Sequence, residues 1–92
     1  MKKGNNNSIY NHMQRMAELT VTMILTGKLQ RAKKFMESAE RLLLSGNYQS
    51  RTAVSNVYLY DLTTILELHH YNVQTLLPQS LRKEYIKQSN AF

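Results

Sequence analysis

The chain has 92 residues and no cysteine, and its 12 Lys and Arg residues outnumber 6 Asp and Glu residues, giving a net charge of +6. This length fits one small domain, and the lack of cysteine excludes disulfides, thiolate metal sites and thiol catalysis. No apolar run approaches the roughly 18 residues that a membrane-spanning helix needs. We therefore expect a soluble cytoplasmic protein whose positive charge permits acidic partners.

The N-terminal segment and the first predicted helix differ sharply in pattern. Residues 1–8 are rich in Asn and Gly and have no hydrophobic period, so they are predicted to form a disordered tail before a single helical domain over residues 9–92. Apolar residues then recur every three or four positions from Ile9 to Ile24. This period predicts an amphipathic helix that ends near Gly27.

The second predicted helix starts at Leu29 and ends at Gly46, with apolar residues at alternating three- and four-residue steps. Because glycine has no Cβ to clash, Gly46 is expected to adopt the left-handed conformation of a helix C-cap. A similar glycine turn at Gly27 precedes this helix. The two turns predict antiparallel helix hairpins that resemble those of tetratricopeptide repeats.

A third helix is predicted to run to about His69, with Asn47 or Ser50 as its N-cap. A short fourth helix, "PQSLRKEYIKQ", begins at Pro78, because proline suits the first turn of a helix. The predicted fold class is therefore all-α: a small antiparallel bundle of three main helices plus a short C-terminal helix.

From about Leu19 to the C-terminus, the chain resembles a family of small bacterial helical proteins of unknown function. The resemblance lies in "GKLQRAKKFMESAERLLLSGNYQSRTAVSNVYLYDLTTILELHH" and, most distinctively, in "LLPQSLRKEY". It implies a compact bacterial helical domain, and it implies no activity, substrate or cofactor.

A helical wheel drawn from Val54 at about 100° per residue orients the polar residues of the third helix. It places Glu67 and His70 opposite the apolar arc. A Glu-x-x-His pair can hold a metal ion, but di-iron bundles need two such motifs and two further carboxylates, all facing inward. The sequence has no second Glu-x-x-His motif, so we expect these residues to be solvated and no metal or cofactor to be bound.

The same wheel places Asp61 near the centre of the apolar arc and His69 at its edge. Asp61 is therefore predicted to be desolvated and paired, with Arg15, Arg51 or a tyrosine hydroxyl, within the fold or across a self-association seam. Losing one partner of such a buried pair costs about 3–5 kcal/mol. A catalytic carboxylate is the functional alternative, but no nucleophile, base or Gly-rich loop accompanies it. His69 is predicted to be a histidine at the edge of the core.

Four cations occupy the first half of the second helix: Lys28, Arg31, Lys33 and Lys34. They could form a phosphate-contacting patch, joined by Arg82, Lys83 and Lys87. The alternative is a charged face that keeps the protein dispersed. A helix-turn-helix is disfavoured, because the helix after Gly46 is long and apolar and a recognition helix needs an exposed polar face.

The third helix has more apolar surface than one neighbour can cover, since Leu59, Tyr60 and Leu66 lie outside the main arc. Such a helix is central in its fold or buried again in an oligomer. We therefore predict a non-enzymatic helical protein-interaction or self-associating module of the bacterial cytoplasm. The alternatives are a nucleic-acid-associated accessory protein that uses residues 28–34, and a small-ligand or metal-binding protein that uses Asp61, His69 or the Glu67–His70 pair.

Overall fold

The fold is a small all-α bundle, as predicted, seen in a computed structural model that describes the backbone of residues 5–89 and the side chains of residues 8–89. The third helix is continuous over residues 48–68, and we label it α3. The elements are α1 (Asn5–Leu25), α2 (Leu29–Ser45), α3 (Tyr48–Ala53, a π-helical segment Val54–Tyr58, and Leu59–Leu68), α4 (Val73–Leu76) and α5 (Gln79–Ser89).

The start of α1 differs from the prediction. The helix begins at Asn5, so it includes residues 5–8 of the predicted tail, whereas residues 1–4 of that tail lie outside the described residues. Connections of two or three residues join α1 to α2 and α2 to α3. Helices joined so tightly run antiparallel to their neighbours, and α1 packs against both α2 and α3.

The core lies where these three helices meet, and the predicted apolar stripes supply most of it. Its fully buried side chains include Met13, Ala17, Ala32, Met36, Ala39, Val54, Tyr58, Leu62 and Leu81. Leu77 and Leu81 are buried and Tyr85 packs half-buried against them, so α5 docks as predicted. Leu29 is an exception to the predicted stripe of α2, because its side chain is exposed.

The two glycine turns are built differently. Gly27 has a φ of +81°, and it ends α1 with a backbone hydrogen bond from its own N–H to Ile24 O (3.1 Å) and one from Lys28 N–H to Met23 O (2.7 Å). This pair of bonds is a Schellman motif, which favours glycine at its left-handed position.

The predicted left-handed conformation of Gly46 is wrong. Its φ of −75° and ψ of 169° are those of an extended residue. Glycine is needed here for space, since a Cβ would lie 2.5 Å from Leu42 O and 2.9 Å from the Ser50 Cβ. The next residue, Asn47, caps α3 as predicted, with its Oδ1 accepting a hydrogen bond from Ser50 N–H at 2.9 Å.

The π-helical segment of α3 was not predicted, and it changes the orientation of every later residue of the helix. Here Leu59 N–H donates to Val54 O, five residues back, rather than to the carbonyl four residues back. A π turn holds one residue more than the α-helical turn it replaces. Side chains after Tyr58 therefore lag behind an ideal wheel by about one position, or about 100°.

Burial along α3 follows this lag. Leu59 and Leu66, which the ideal wheel placed outside the apolar arc, are fully buried, and Thr63 is buried with them. Leu68, which the wheel placed on the arc, is 73% exposed. Leu59, Tyr60 and Leu66 gave α3 an apparent excess of apolar surface on the regular wheel. Two of the three, Leu59 and Leu66, lie inside the fold, so part of that excess came from assuming a regular helix.

One buried hydrogen bond joins α1 to the end of the π segment. The Thr20 Oγ1 donates to Met16 O at 2.7 Å and lies 2.9 Å from the Tyr58 Oη. A hydroxyl has a single proton, so the Tyr58 hydroxyl is the donor to Thr20. Burial raises the pKa of Tyr58, and the phenol therefore remains neutral and keeps the proton that it donates.

We expect the substitutions Thr20→Val and Tyr58→Phe to be strongly non-additive in unfolding free energy. Thr20→Val should cost about 1–3 kcal/mol, because it leaves the buried Tyr58 hydroxyl without an acceptor, and Tyr58→Phe about 1 kcal/mol. The double variant should cost less than the sum of the two, since it leaves neither group unsatisfied. Urea denaturation of all four proteins measures this coupling, and additive losses would show that the hydrogen bond contributes nothing.

Candidate interaction surface

The C-terminal helix α5 is fixed to α2 by a hydrogen bond between side chain and backbone. The Glu40 Oε2 accepts the Ser80 N–H at 2.7 Å, which satisfies one of the free donors at the start of α5 and places a negative charge at the positive end of its dipole. The two residues are 40 positions apart, so sequence analysis did not find this contact. The only local signal is a carboxylate next to Ala39 on the apolar stripe.

A second contact joins α5 to the π segment of α3. Because Leu59 N–H bonds to Val54 O, the Ser55 carbonyl lacks its usual α-helical donor, and the Gln88 Nε2 donates to it at 3.1 Å. Buried backbone carbonyls need such partners. Gln88 therefore completes the hydrogen bonding of the widened turn, which no feature of the sequence indicates.

Further along, the Tyr85 hydroxyl donates a short hydrogen bond to the Glu67 carboxylate. This hydrogen bond raises the pKa of Tyr85, and its partial burial raises it further. Glu67 is exposed, as predicted, yet it is not simply solvated, because it holds α5 beside the C-terminal half of α3.

Two grooves flank α5 and meet at Ser55 and Asn56. The first has a volume of about 740 Å³ and lies between α3 and the Tyr85–Gln88 side of α5. The second, the cationic groove, has a volume of about 630 Å³. Its principal side chains are Leu44, Tyr48, Arg51, Lys83 and Lys87, contributed by the end of α2, the start of α3 and α5.

The cationic groove carries a net positive charge. Arg51, Lys83 and Lys87 are exposed, and none of them forms a salt bridge with a carboxylate of the described residues. Glu84 also lines this groove and lies 3.4 Å from the Gln88 Nε2. Three cations facing one carboxylate leave the groove able to attract a negatively charged group.

The predicted basic patch is exposed but stands apart from this groove. Lys28, Arg31, Lys33 and Lys34 are all exposed on the first half of α2, while α5 contacts α2 through Glu40. None of these four cations lines the cationic groove, and the nearest of them, Lys34, lies about 9 Å from Glu40 along the axis of α2. Arg82 does not join these cations either, because its Nη2 donates to Leu77 O at 3.1 Å.

The Glu67–His70 pair is not arranged as a pair of metal ligands. The Glu67 carboxylate accepts the Tyr85 hydroxyl, and His70 lies beyond the last residue of α3 with a φ of +66°. Among the described residues, no three His, Asp or Glu side chains are placed to share one metal ion. His70 instead ends the helix, in the same Schellman arrangement as Gly27: its N–H donates to Glu67 O, and Tyr71 N–H donates to Leu66 O.

The positions of Asp61 and His69 also differ from the prediction. His69 is exposed rather than at the edge of the core. Asp61 is only half-buried, and its carboxylate meets neither a cation nor a hydrogen-bond donor within the described part of the chain. Partial burial raises the pKa of Asp61, and the negative charge of Glu18 on α1 raises it further. The lag introduced by the π segment turns Asp61 away from the core, whereas His69 is exposed because α3 ends at Leu68 and His69 lies at its C-cap, with a φ of −94° and a ψ of 12°.

Comparison with known proteins gives a family and no activity. The model of a family described as a domain of unknown function (DUF7674) matches residues 1–91, a longer stretch than the resemblance noted from Leu19 onward. No curated protein and no solved structure matches the chain. Within residues 5–89, no helix combines the length and the apolar character that crossing a membrane requires.

We expect Asp61→Asn to stabilise the protein at pH 7 and to have little effect at about pH 3. A raised pKa means that the folded state binds the proton more tightly than the unfolded state. The protonated Asp61 carboxyl therefore stabilises the folded state below the ordinary Asp pKa of about 3.9, and this contribution to the unfolding free energy is lost as the pH rises through the raised pKa. Asn resembles the protonated carboxyl and keeps no charge at pH 7.

Urea midpoints at the two pH values test this, and Glu18→Gln should reproduce part of the gain at pH 7. A loss of stability in Asp61→Asn at pH 7 would instead show that the carboxylate has a cationic partner.

We expect His70→Gly to raise the unfolding free energy by up to about 1 kcal/mol, because a left-handed backbone strains any residue with a Cβ. His69→Gly is the matched control. Its φ is −94°, so it gains no relief of strain and should lose about 0.5–1 kcal/mol through the flexibility of glycine. A destabilised His70→Gly variant would mean that the imidazole makes a stabilising contact.

Proposed function

The chain belongs to the DUF7674 family, and we propose that it is a non-enzymatic protein-interaction module whose contact surface comprises the two grooves beside α5. The family description assigns no activity, so the proposal rests on the geometry of this surface. It includes a location in the bacterial cytoplasm, which is supported by the absence of cysteine, since proteins of reducing compartments do not depend on disulfides.

The observation that carries the proposal is the exposure of large apolar side chains at the grooves. Tyr48 is 74% exposed, Leu44 67% and Tyr60 60%, and each of them lines one of the two grooves. Most of the apolar residues of α3 are buried or half-buried, so Tyr48 and Tyr60 stand out from the pattern of that helix, and Leu44 is exposed near the end of α2. Exposed apolar groups around a groove are typical of protein-binding sites, in which Tyr and Arg are the side chains most enriched.

Several polar side chains of the first groove support a binding role, because structural hydrogen bonds hold them in place. The Thr63 hydroxyl donates to Leu59 O at 2.9 Å, Glu67 accepts from Tyr85, and Gln88 donates to Ser55 O. A surface whose side chains are fixed in this way loses little conformational entropy on binding. The hydroxyl of Thr63 and the carboxylate of Glu67 are already engaged in these hydrogen bonds, whereas a catalytic mechanism would need such groups to be free to react.

The other candidate functions have weaker support. The cations of residues 28–34 line neither groove, so they do not share one binding surface with Lys83 and Lys87, whereas nucleic-acid-binding proteins usually gather their cations in one patch or stripe. A small-ligand site built from Asp61 and His69 would need both side chains in one pocket, yet neither residue lines the grooves.

Site-specific photocrosslinking tests the proposal. A benzoylphenylalanine should crosslink a protein in the native cell when it replaces Tyr48 or Tyr60, because both side chains are exposed and contact the grooves. Leu19 on α1 is the control position, since it is 44% exposed and lines neither groove. Gel mobility and mass spectrometry identify the products, and a band of twice the mass of the chain identifies self-association.

Equal crosslinking at all three positions, or none at Tyr48 and Tyr60, would contradict the proposed surface. The variants are expected to fold normally, because substitutions at exposed positions change stability by less than about 0.5 kcal/mol.

A further inference from the structure

We propose that the cationic groove binds an acidic segment of a partner protein, in which Asp or Glu residues flank an apolar anchor. This inference rests on the proposed function, and it defines the chemistry of the partner. It follows from two features of the groove that occur together, an excess of positive charge and an exposed apolar rim.

The positions of the cations define the spacing of the partner's carboxylates. Lys83 and Lys87 are four residues apart on α5, which separates them by about 6 Å along the helix axis. Carboxylates four residues apart on a helix match this spacing, and so do carboxylates two residues apart in an extended chain, at about 6.6 Å. Arg51 lies across the groove on α3 and can bind a further carboxylate in a bidentate manner.

The apolar rim accounts for the anchor. Leu44 and Tyr48 stand at one end of the groove, and both are more than half exposed. A leucine, phenylalanine or tryptophan of the partner would bury apolar area against them, which supplies binding free energy beyond charge attraction. Asn56, which is exposed and also lines the groove, provides amide donors and acceptors for the partner backbone.

A second copy of this chain is a poor occupant of the cationic groove. Each copy carries a net charge of +6, so two copies repel each other overall, whereas an acidic segment is attracted to the groove. A nucleic acid is also a poor occupant, because three cations and one carboxylate contact few phosphates and the Leu44 side chain has no counterpart on a sugar-phosphate backbone.

Selection from a random 12-residue peptide library displayed on phage, with the full-length chain as bait, tests the inference. The enriched peptides should combine Asp or Glu with a large apolar residue. Their affinity, measured by fluorescence anisotropy of the synthetic peptides, should fall at least about tenfold in the double variant Lys83→Glu/Lys87→Glu, because two attractive charge pairs become repulsive. The same variant should select basic peptides instead.

The matched control is Lys33→Glu/Lys34→Glu. It makes the same change in net charge, from +6 to +2, because each of the two substitutions removes two charge units. Both lysines are exposed on α2 away from the groove, so the affinity should change less than about threefold. Circular dichroism confirms that both variants are folded.

An enrichment without acidic bias, no enrichment, or equal losses in the two double variants would overturn the inference. If the selection yields no acidic peptides and a 20-nucleotide polyuridine binds in a way that depends on Lys83 and Lys87, the groove is assigned to nucleic acid instead. The proposed function fails separately: crosslinking at Tyr48 and Tyr60 without acidic selection leaves an interaction module with a different partner, whereas absent crosslinking removes the module itself.

Discussion

The widened turn at Val54–Tyr58 is the constraint on which the arrangement of this small bundle depends. Tyr58, at the end of this turn, is buried in the core and its phenol reaches Thr20 on α1. The turn leaves the Ser55 carbonyl open to Gln88 on α5, and by rotating the rest of α3 it brings Leu59 and Leu66 to the inside. One extra residue in a single turn therefore determines which face of α3 packs inward after Tyr58 and provides a contact with the last helix.

The attachment of α5 shows how polar contacts supplement a small hydrophobic core. Of its own residues, only Leu81 is fully buried among those described. The helix is also held by Glu40 at its start and by Gln88 near its end, so it has a defined orientation although it buries little apolar area. This orientation is what creates a groove on each side of α5, with Ser55 and Asn56 at the junction.

The sequence predicted the features that depend on local pattern. The all-α class, the bounds of the long helices apart from the start of α1, the Asn47 cap and the docking of Leu81 follow from the period of apolar residues and from the chemistry of helix ends. The errors have two physical causes. The π turn breaks the assumption of 100° per residue, so the ideal wheel places Asp61 on the wrong side of α3. Contacts such as Glu40 to Ser80 join residues that only the tertiary fold brings together.

The candidate surface was predictable only in part. Its charges are visible in the sequence, but the sequence emphasised Lys28 to Lys34, which lie close together in the chain, over Arg51, Lys83 and Lys87, which come from two different helices. The cations of the groove come together only in the folded chain, and the helix pattern of the sequence does not encode this proximity.

The polar attachment of α5 has a thermodynamic consequence for any protein that binds beside it. A helix held mainly by a few hydrogen bonds and one buried leucine belongs to the part of the molecule that opens with the lowest free energy. A partner that contacts α3 and α5 together binds only while α5 is docked, so its binding energy adds directly to the docking equilibrium. The two processes are linked, and the occupancy of the grooves then determines how often the C-terminal end of the chain is part of the folded bundle.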